Sequence, residues 1–150
     1  MKIVSTRRSQ VLAGRIAALL HVPLVDVRWT RFPDGEIYLK VSEISDRMVI
    51  VGSLVGSDDL IELLLLCDAC SCSEITLVLP YMGYARQDKQ FNPGEPLSAR
   101  VIARTLGAGA GRILTVTLHE DSIIPWFGVP VTNLSLATAM AGMIRTLPVH

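Results

Sequence analysis

Short apolar runs rich in β-branched residues alternate along this chain with longer stretches in which apolar residues recur every three or four positions. Lys2 to Ser5 reads as a strand. Ser9 to His21 reads as an amphipathic helix with Leu12, Ile16 and Leu19/Leu20 on one stripe. Leu24 to Trp29 is a second strand, after which Arg31-Phe32-Pro33-Asp34-Gly35-Glu36 turns the chain; proline presets φ there and glycine supplies a positive φ. From Glu36 to Val41 the apolar Ile37, Leu39 and Val41 alternate with Glu36, Tyr38 and Lys40, which predicts a hairpin with the preceding strand. Met48 to Leu54 is the next strand. Ser57-Asp58-Asp59 is expected to cap a helix running through Leu60 to about Cys70, with its acids at the positive end of the helix dipole.

The same reading continues with a strand at Ile75 to Leu79, a helix at Ser98 to Leu106, and a strand at Arg112 to Leu118. Gly107 to Gly111 follows a helix, so it is expected to be a C-terminal stop, whereas a phosphate-cradling turn would follow a strand. Ser122 to Phe127 predicts a short helical turn, Pro130 to Leu134 an extended piece, and Ala137 to Leu147 a final helix. Strands separated by helices of these lengths imply an α/β fold. The expected core is a mainly parallel five-stranded sheet with helices on both faces, and the hairpin from Arg31 to Val41 projects from it.

Composition narrows the function classes. The chain has 150 residues, half of them apolar, which suits one domain with a real core. Its 14 basic and 14 acidic residues cancel, so no broad basic field points to nucleic acid. No apolar run approaches membrane-spanning length, and the N-terminus lacks a signal-peptide layout, so the expected location is the cytoplasm. Cys67, Cys70 and Cys72 read as C-x-x-C-x-C, but no second Cys or His pair completes a metal site. The first two close a helix, where cysteine behaves as a small buried hydrophobe.

Two stretches could carry chemistry. The segment from Leu79 to Leu97 joins a strand to a helix, holds three prolines and two glycines, and places Arg86-Gln87-Asp88-Lys89 beyond a strand's carboxyl end. Ligands bind at that edge of open α/β sheets. The loop is therefore either a binding loop or a solvated surface loop. His119 ends another predicted strand beside Glu120 and Asp121; it is either structural or one ligand of a divalent metal whose phosphate complex Arg86 and Lys89 neutralise. There is no G-x-x-x-x-G-K-[ST] and no nucleophile elbow.

Phe32-Pro33-Asp34-Gly35-Glu36, Tyr84-Ala85-Arg86-Gln87-Asp88-Lys89 and Leu118-His119 occur in an order and spacing that resemble the N-terminal half of ribose-phosphate diphosphokinase, the PRPP synthetase. The resemblance runs from Lys2 to about Leu147. Ser9-Gln10, Pro93 to Ser98 and Gly128 to Leu134 fit it too, and Asn92-Pro93-Gly94-Glu95 looks most like archaeal members. It implies a phosphoribosyltransferase-like fold and transfer of the β,γ-pyrophosphoryl group of ATP to C1 of ribose 5-phosphate, with Mg²⁺. Arg86, Gln87, Asp88 and Lys89 would touch the nucleotide and His119 the magnesium. Phe32, Asp34 and Glu36 would reach adenine bound by a neighbouring copy, which implies a homo-oligomer. Thr117 stands where the family often has an acidic residue. The family's second, ribose-phosphate-binding domain has no counterpart in these 150 residues. The chain is thus expected to be the ATP-side half, inactive alone, or else a non-catalytic assembly or regulatory subunit.

Overall fold

In chain order the strands are β1 (Lys2–Ser5), β2 (Val27–Arg31), β3 (Ile37–Val41), β4 (Arg47–Val51), β5 (Glu74–Leu79), β6 (Arg112–Val116) and β7 (Val131–Leu134). The helices are α1 (Gln10–Leu20), α2 (Ser57–Ala69), α3 (Ser98–Ala108) and α4 (Ala137–Arg145), with 3₁₀ turns at Arg7–Ser9 and Asp121–Phe127. This computed structural model describes residues 1–146. Five strands form one sheet in the order β1-β4-β5-β6-β7, each pair parallel, and β2 and β3 form a separate antiparallel hairpin. The expected sheet and hairpin are present.

Alternate residues of the sheet feed two cores. Ile3 and Val51 meet Ala13 and Ala17 of α1 on one face. Val4, Ile50 and Leu77 meet Leu63 and Leu66 of α2 and Ile102 and Leu106 of α3 on the other. Strands buried on both faces read as continuous apolar runs, which is why periodicity found them. The hairpin does more than project: Val27, Trp29, Leu39 and Val41 pack against the core that α2 builds, and only its tip stands clear.

Several boundaries differ from the sequence expectation. The second strand begins at Val27, because Leu24 instead makes a short parallel bridge to Ile3 on the side of β1 away from β4. The chain therefore leaves β1 through α1 toward one side while β4 occupies the other. β4 stops at Val51, and Leu54 bridges to Met82. The cap of α2 is Gly56, with Ser57 already helical; Asp59 Oδ2 accepts the N–H groups of Val55 at 3.0 Å and Gly56 at 2.8 Å. Gly107 lies inside α3, and Gly109 caps that helix. Arg7–Ser9 forms a 3₁₀ turn before α1, and His21 closes α1 in a left-handed conformation at φ 52°. The final helix ends at Arg145; its expected extension to Leu147 lies outside the described residues.

Cys67 and Cys70 are buried and Cys72 is exposed. Burial pushes the Cys67 thiol up to about 12 and the Cys70 thiol up to about 11. Since the thiolate is the reactive form, an alkylating reagent is expected to label Cys72 alone in the folded chain, read by intact mass. Equal labelling of all three would show that the end of α2 is open.

Candidate functional site

The loop after β5 is stitched to the segment after β4. Leu54 N–H donates to Tyr81 O at 2.8 Å, and Gly83 N–H returns to Leu54 O at 2.7 Å. A Cβ on Gly83 would stand 2.6 Å from that oxygen, so only glycine permits the approach. Tyr84 then takes a left-handed conformation at φ 64°, and its hydroxyl pairs with Ser57 Oγ at 2.7 Å. These constraints fix the stem from which Arg86 departs.

Arg86 and His119 line one cleft of about 160 Å³ at the carboxyl ends of β5 and β6, together with Tyr81, Met82 and Thr117. Two residues distant in sequence are thus brought to one place. Thr117 sits at φ 46°, a conformation that a β-branched side chain strains to adopt and that recurs at functional sites. Asn133 of β7 holds the neighbouring turn: its Oδ1 accepts Leu118 N–H at 3.1 Å and Thr115 Oγ1–H at 3.0 Å, and its Nδ2 donates to Asp121 Oδ1 at 2.8 Å. Asp121 therefore braces β7. Among the described residues no three His, Cys, Asp or Glu side chains gather as a metal site.

The rest of the Arg86 run is less uniform. Gln87 is half-buried, and its Oε1 accepts Ser98 Oγ–H at 2.5 Å while its main-chain carbonyl accepts Ala99 N–H at 3.2 Å. It holds the start of α3 against the loop. Asp88 has a buried Oδ2 with no partner among the described residues, and Lys89 is exposed. Farther on, Glu95 collects the N–H groups of Phe91 and Asn92 and the Asn92 side chain at 2.6 to 3.1 Å. The Asn92 side chain first, then those two N–H groups, hold its carboxyl below the usual glutamate range.

Phe32, Asp34 and Glu36 lie together at the hairpin tip, apart from the residues lining the Arg86–His119 cleft. Phe32 N–H donates to Glu36 O and Gly35 N–H to Phe32 O, both at 2.9 Å, with Gly35 at φ 96°. Asp34 Oδ1 accepts Glu36 N–H at 3.3 Å. Phe32 is 50 % exposed and meets Tyr38 edge-on at 5.8 Å. Arg31 pairs with Asp58 at the start of α2, so α2 carries both the hairpin and, through Ser57, the Tyr84 stem.

Sequence reasoning placed Ser57 in a helix cap and Tyr84 and Asn133 in motif runs. It missed the Ser57–Tyr84 bond, the bracing by Asn133 and the strain at Thr117, because none of these has a local signature. It also passed over Arg7 and Arg8, whose partners Glu62 and Asp59 are nearly buried on α2. Adjacent arginines beyond a strand, with two acids at helical spacing on a distant element, were the available signal.

Comparison with known proteins identifies the family and the fold. Residues 1–111 match the model of the N-terminal domain of ribose phosphate pyrophosphokinase. The ribose-phosphate pyrophosphokinase of Methanosarcina acetivorans is 44 % identical over 147 residues, which is 96 % of this chain and 51 % of that protein. That of Halobacterium salinarum is 46 % identical over 144 residues, 93 % of this chain and 51 % of the relative. The crystal structure of phosphoribosylpyrophosphate synthetase from Mycobacterium smegmatis superposes with a TM-score of 0.82 at 31 % identity, covering 95 % of this chain and 51 % of that one. The chain spans about half the length of the curated relatives it matches. With the family model covering most of its length and archaeal relatives following it nearly end to end, this chain belongs to the family of the N-terminal domain of ribose phosphate pyrophosphokinase.

Proposed function

We propose that the chain is the ATP-side half of a ribose-phosphate diphosphokinase, working in the cytoplasm with a second domain that binds ribose 5-phosphate. The convergence of Arg86 and His119 on one cleft at the carboxyl edge of a parallel sheet carries this reading. A guanidinium can pair with a polyphosphate through two parallel hydrogen bonds or stack on a base. Gln87, Asp88 and Lys89 complete the nucleotide contact, with the Gln87 Oε1 already held by Ser98. Phe32 offers a face for adenine, and Asp34 and Glu36 can accept from its exocyclic amine. Because the hairpin tip does not line the cleft of its own chain, these three serve a neighbouring copy, which calls for a homo-oligomer.

Mg²⁺ fits this cleft in one form only. Magnesium prefers oxygen ligands and keeps several waters, and among the described residues no carboxylate set gathers around His119. The donors suit a magnesium already carrying ATP phosphates and water, with His119 as one contact. Bound so, the ion neutralises phosphate charge. The work left for the protein is positioning, since phosphoryl-type transfer asks little covalent chemistry of it.

Arg86→Ala is expected to weaken Mg·ATP binding roughly tenfold to a hundredfold, the worth of a charge-assisted bond of about 1.5–3 kcal/mol. Arg145→Ala, on exposed α4, should leave it unchanged. Calorimetric titration decides: equal affinities would remove Arg86 from the site. The 150 residues alone are expected to make no PRPP, and measurable synthesis by the purified chain would relocate the second substrate's site.

A further inference from the structure

At the carboxyl ends of β1 and β4 the sheet has a switch point. The chain leaves β1 through α1 to Leu24 on one side, while β4 lies on the other and is followed by α2 on the opposite face. Crevices at such points receive ligands in doubly wound folds. Here the crevice is a cleft of about 360 Å³ lined by Arg7, Arg8, Asp58, Asp59 and Glu62.

Its two arginines are held as if for presentation. Arg7 Nε donates to Glu62 Oε1 at 2.6 Å, and its main-chain N–H to Glu62 Oε2 at 3.0 Å. Arg8 Nε donates to both carboxylate oxygens of Asp59 at 3.1 Å. The acid side chains are nearly buried, at 7 % exposure for Asp59 and 4 % for Glu62, whereas the side chains of Arg7 and Arg8 remain 43 % and 56 % exposed. Arg7 is also braced over the Trp29 ring at 5.4 Å. Each guanidinium carries five N–H donors and engages its acid through Nε. Among the described residues no protein acceptor takes an Nη hydrogen of either.

We propose that Arg7 and Arg8 form a phosphate-binding site at this switch point, separate from the Arg86–His119 cleft. Two neighbouring guanidinia, fixed at Nε and open at Nη, offer the directed donors that a tetrahedral oxyanion accepts. The buried acids cancel the arginine charges, so recognition depends on donor direction and not on a positive field. Salt should therefore weaken binding less than it weakens a purely coulombic site.

The test uses the intact chain, titrated with inorganic phosphate against chloride at matched ionic strength and followed by amide NMR shifts. Saturable binding is expected with phosphate and none with chloride. Arg7→Lys and Arg8→Lys keep the charge and a donor for each buried acid but lack the outward fork. Each should bind phosphate at least tenfold more weakly, read at the amides after β1 and at the start of α2, while Arg145→Ala on exposed α4 binds it as the unaltered chain does. The position of the shifting amides keeps this site distinct from the proposed nucleotide cleft around Arg86 and His119, whose own failure would appear only in the Mg·ATP titration. Trp29 fluorescence in a Trp126→Phe background reads the same event with both arginines intact, and phosphate-specific saturable quenching is expected. Glycerol 2-phosphate is run alongside: equal binding means the free anion suffices, tighter binding means a phosphomonoester is preferred, and either upholds the site. No saturable phosphate binding, undiminished binding in both lysine variants, or saturable shifts confined to the amides around Arg86 and His119 overturns it.

Discussion

Gly107→Ala is expected to lower the stability of the chain by about 2–4 kcal/mol or to stop it folding, although alanine is the better helix former by about 1 kcal/mol. The reason is a contact. Gly107 lies inside α3 against the 3₁₀ turn that follows His119, and a Cβ there would stand 1.8 Å from the Phe127 carbonyl oxygen and 2.8 Å from its carbon. Both are backbone atoms, so no rotamer change relieves the clash. The turn or the helix must shift, and the turn carries Ile123 and Phe127 into the core. Gly142→Ala is the control, because a Cβ at that helical position meets nothing within 4 Å. It should be neutral or stabilising by up to about 1 kcal/mol. Urea denaturation of the three proteins gives the comparison, and a neutral Gly107→Ala would mean that the turn does not rest on α3.

Asp59→Ala should cost about 2–4 kcal/mol, because it strips partners from three donors at once. The carboxylate accepts Val55 and Gly56 N–H at the start of α2 and holds Arg8. Burial pushes its carboxyl up, but the bonds from Gly56, Arg8 and Val55 outweigh it and hold the group below the usual aspartate range. A carboxyl lowered in the folded state contributes stability that is complete above the unfolded value, near 4, and is lost as pH falls through the folded value. Asp59→Asn keeps an acceptor for the two N–H groups and is expected to lose less at neutral pH. Its stability should also fall less steeply as pH drops below about 4. Parallel acid limbs for the two proteins in chemical denaturation would show that Asp59 is not the titrating group.

The two carboxylates that hold Arg7 and Arg8 also pin α2, and α2 in turn carries the hairpin through Asp58 and the Arg86 loop through Ser57. One helix end thus sets the relative placement of three surfaces at the sheet's carboxyl edge. Arg31 and Tyr84, which reach the first turn of α2 through Asp58 and Ser57, come from separate parts of the chain.

Much of this was legible beforehand. Strands buried on both faces must be apolar along their length, so β1, β4, β5 and β6 announced themselves, and the Pro33–Gly35 turn fixed the hairpin register. The motif runs around Phe32, Arg86 and His119 point to the family from the residues alone. What the residues could not announce were contacts made by single atoms across long separations. Nothing local says that Leu24 bridges β1, that position 107 admits only glycine because the Phe127 carbonyl lies over it, or that Gln87 turns inward to Ser98. Periodicity reports which face of an element is buried, since burial acts on every turn of it. A hydrogen bond or a close approach at one position leaves no period, and only the folded chain brings those atoms together.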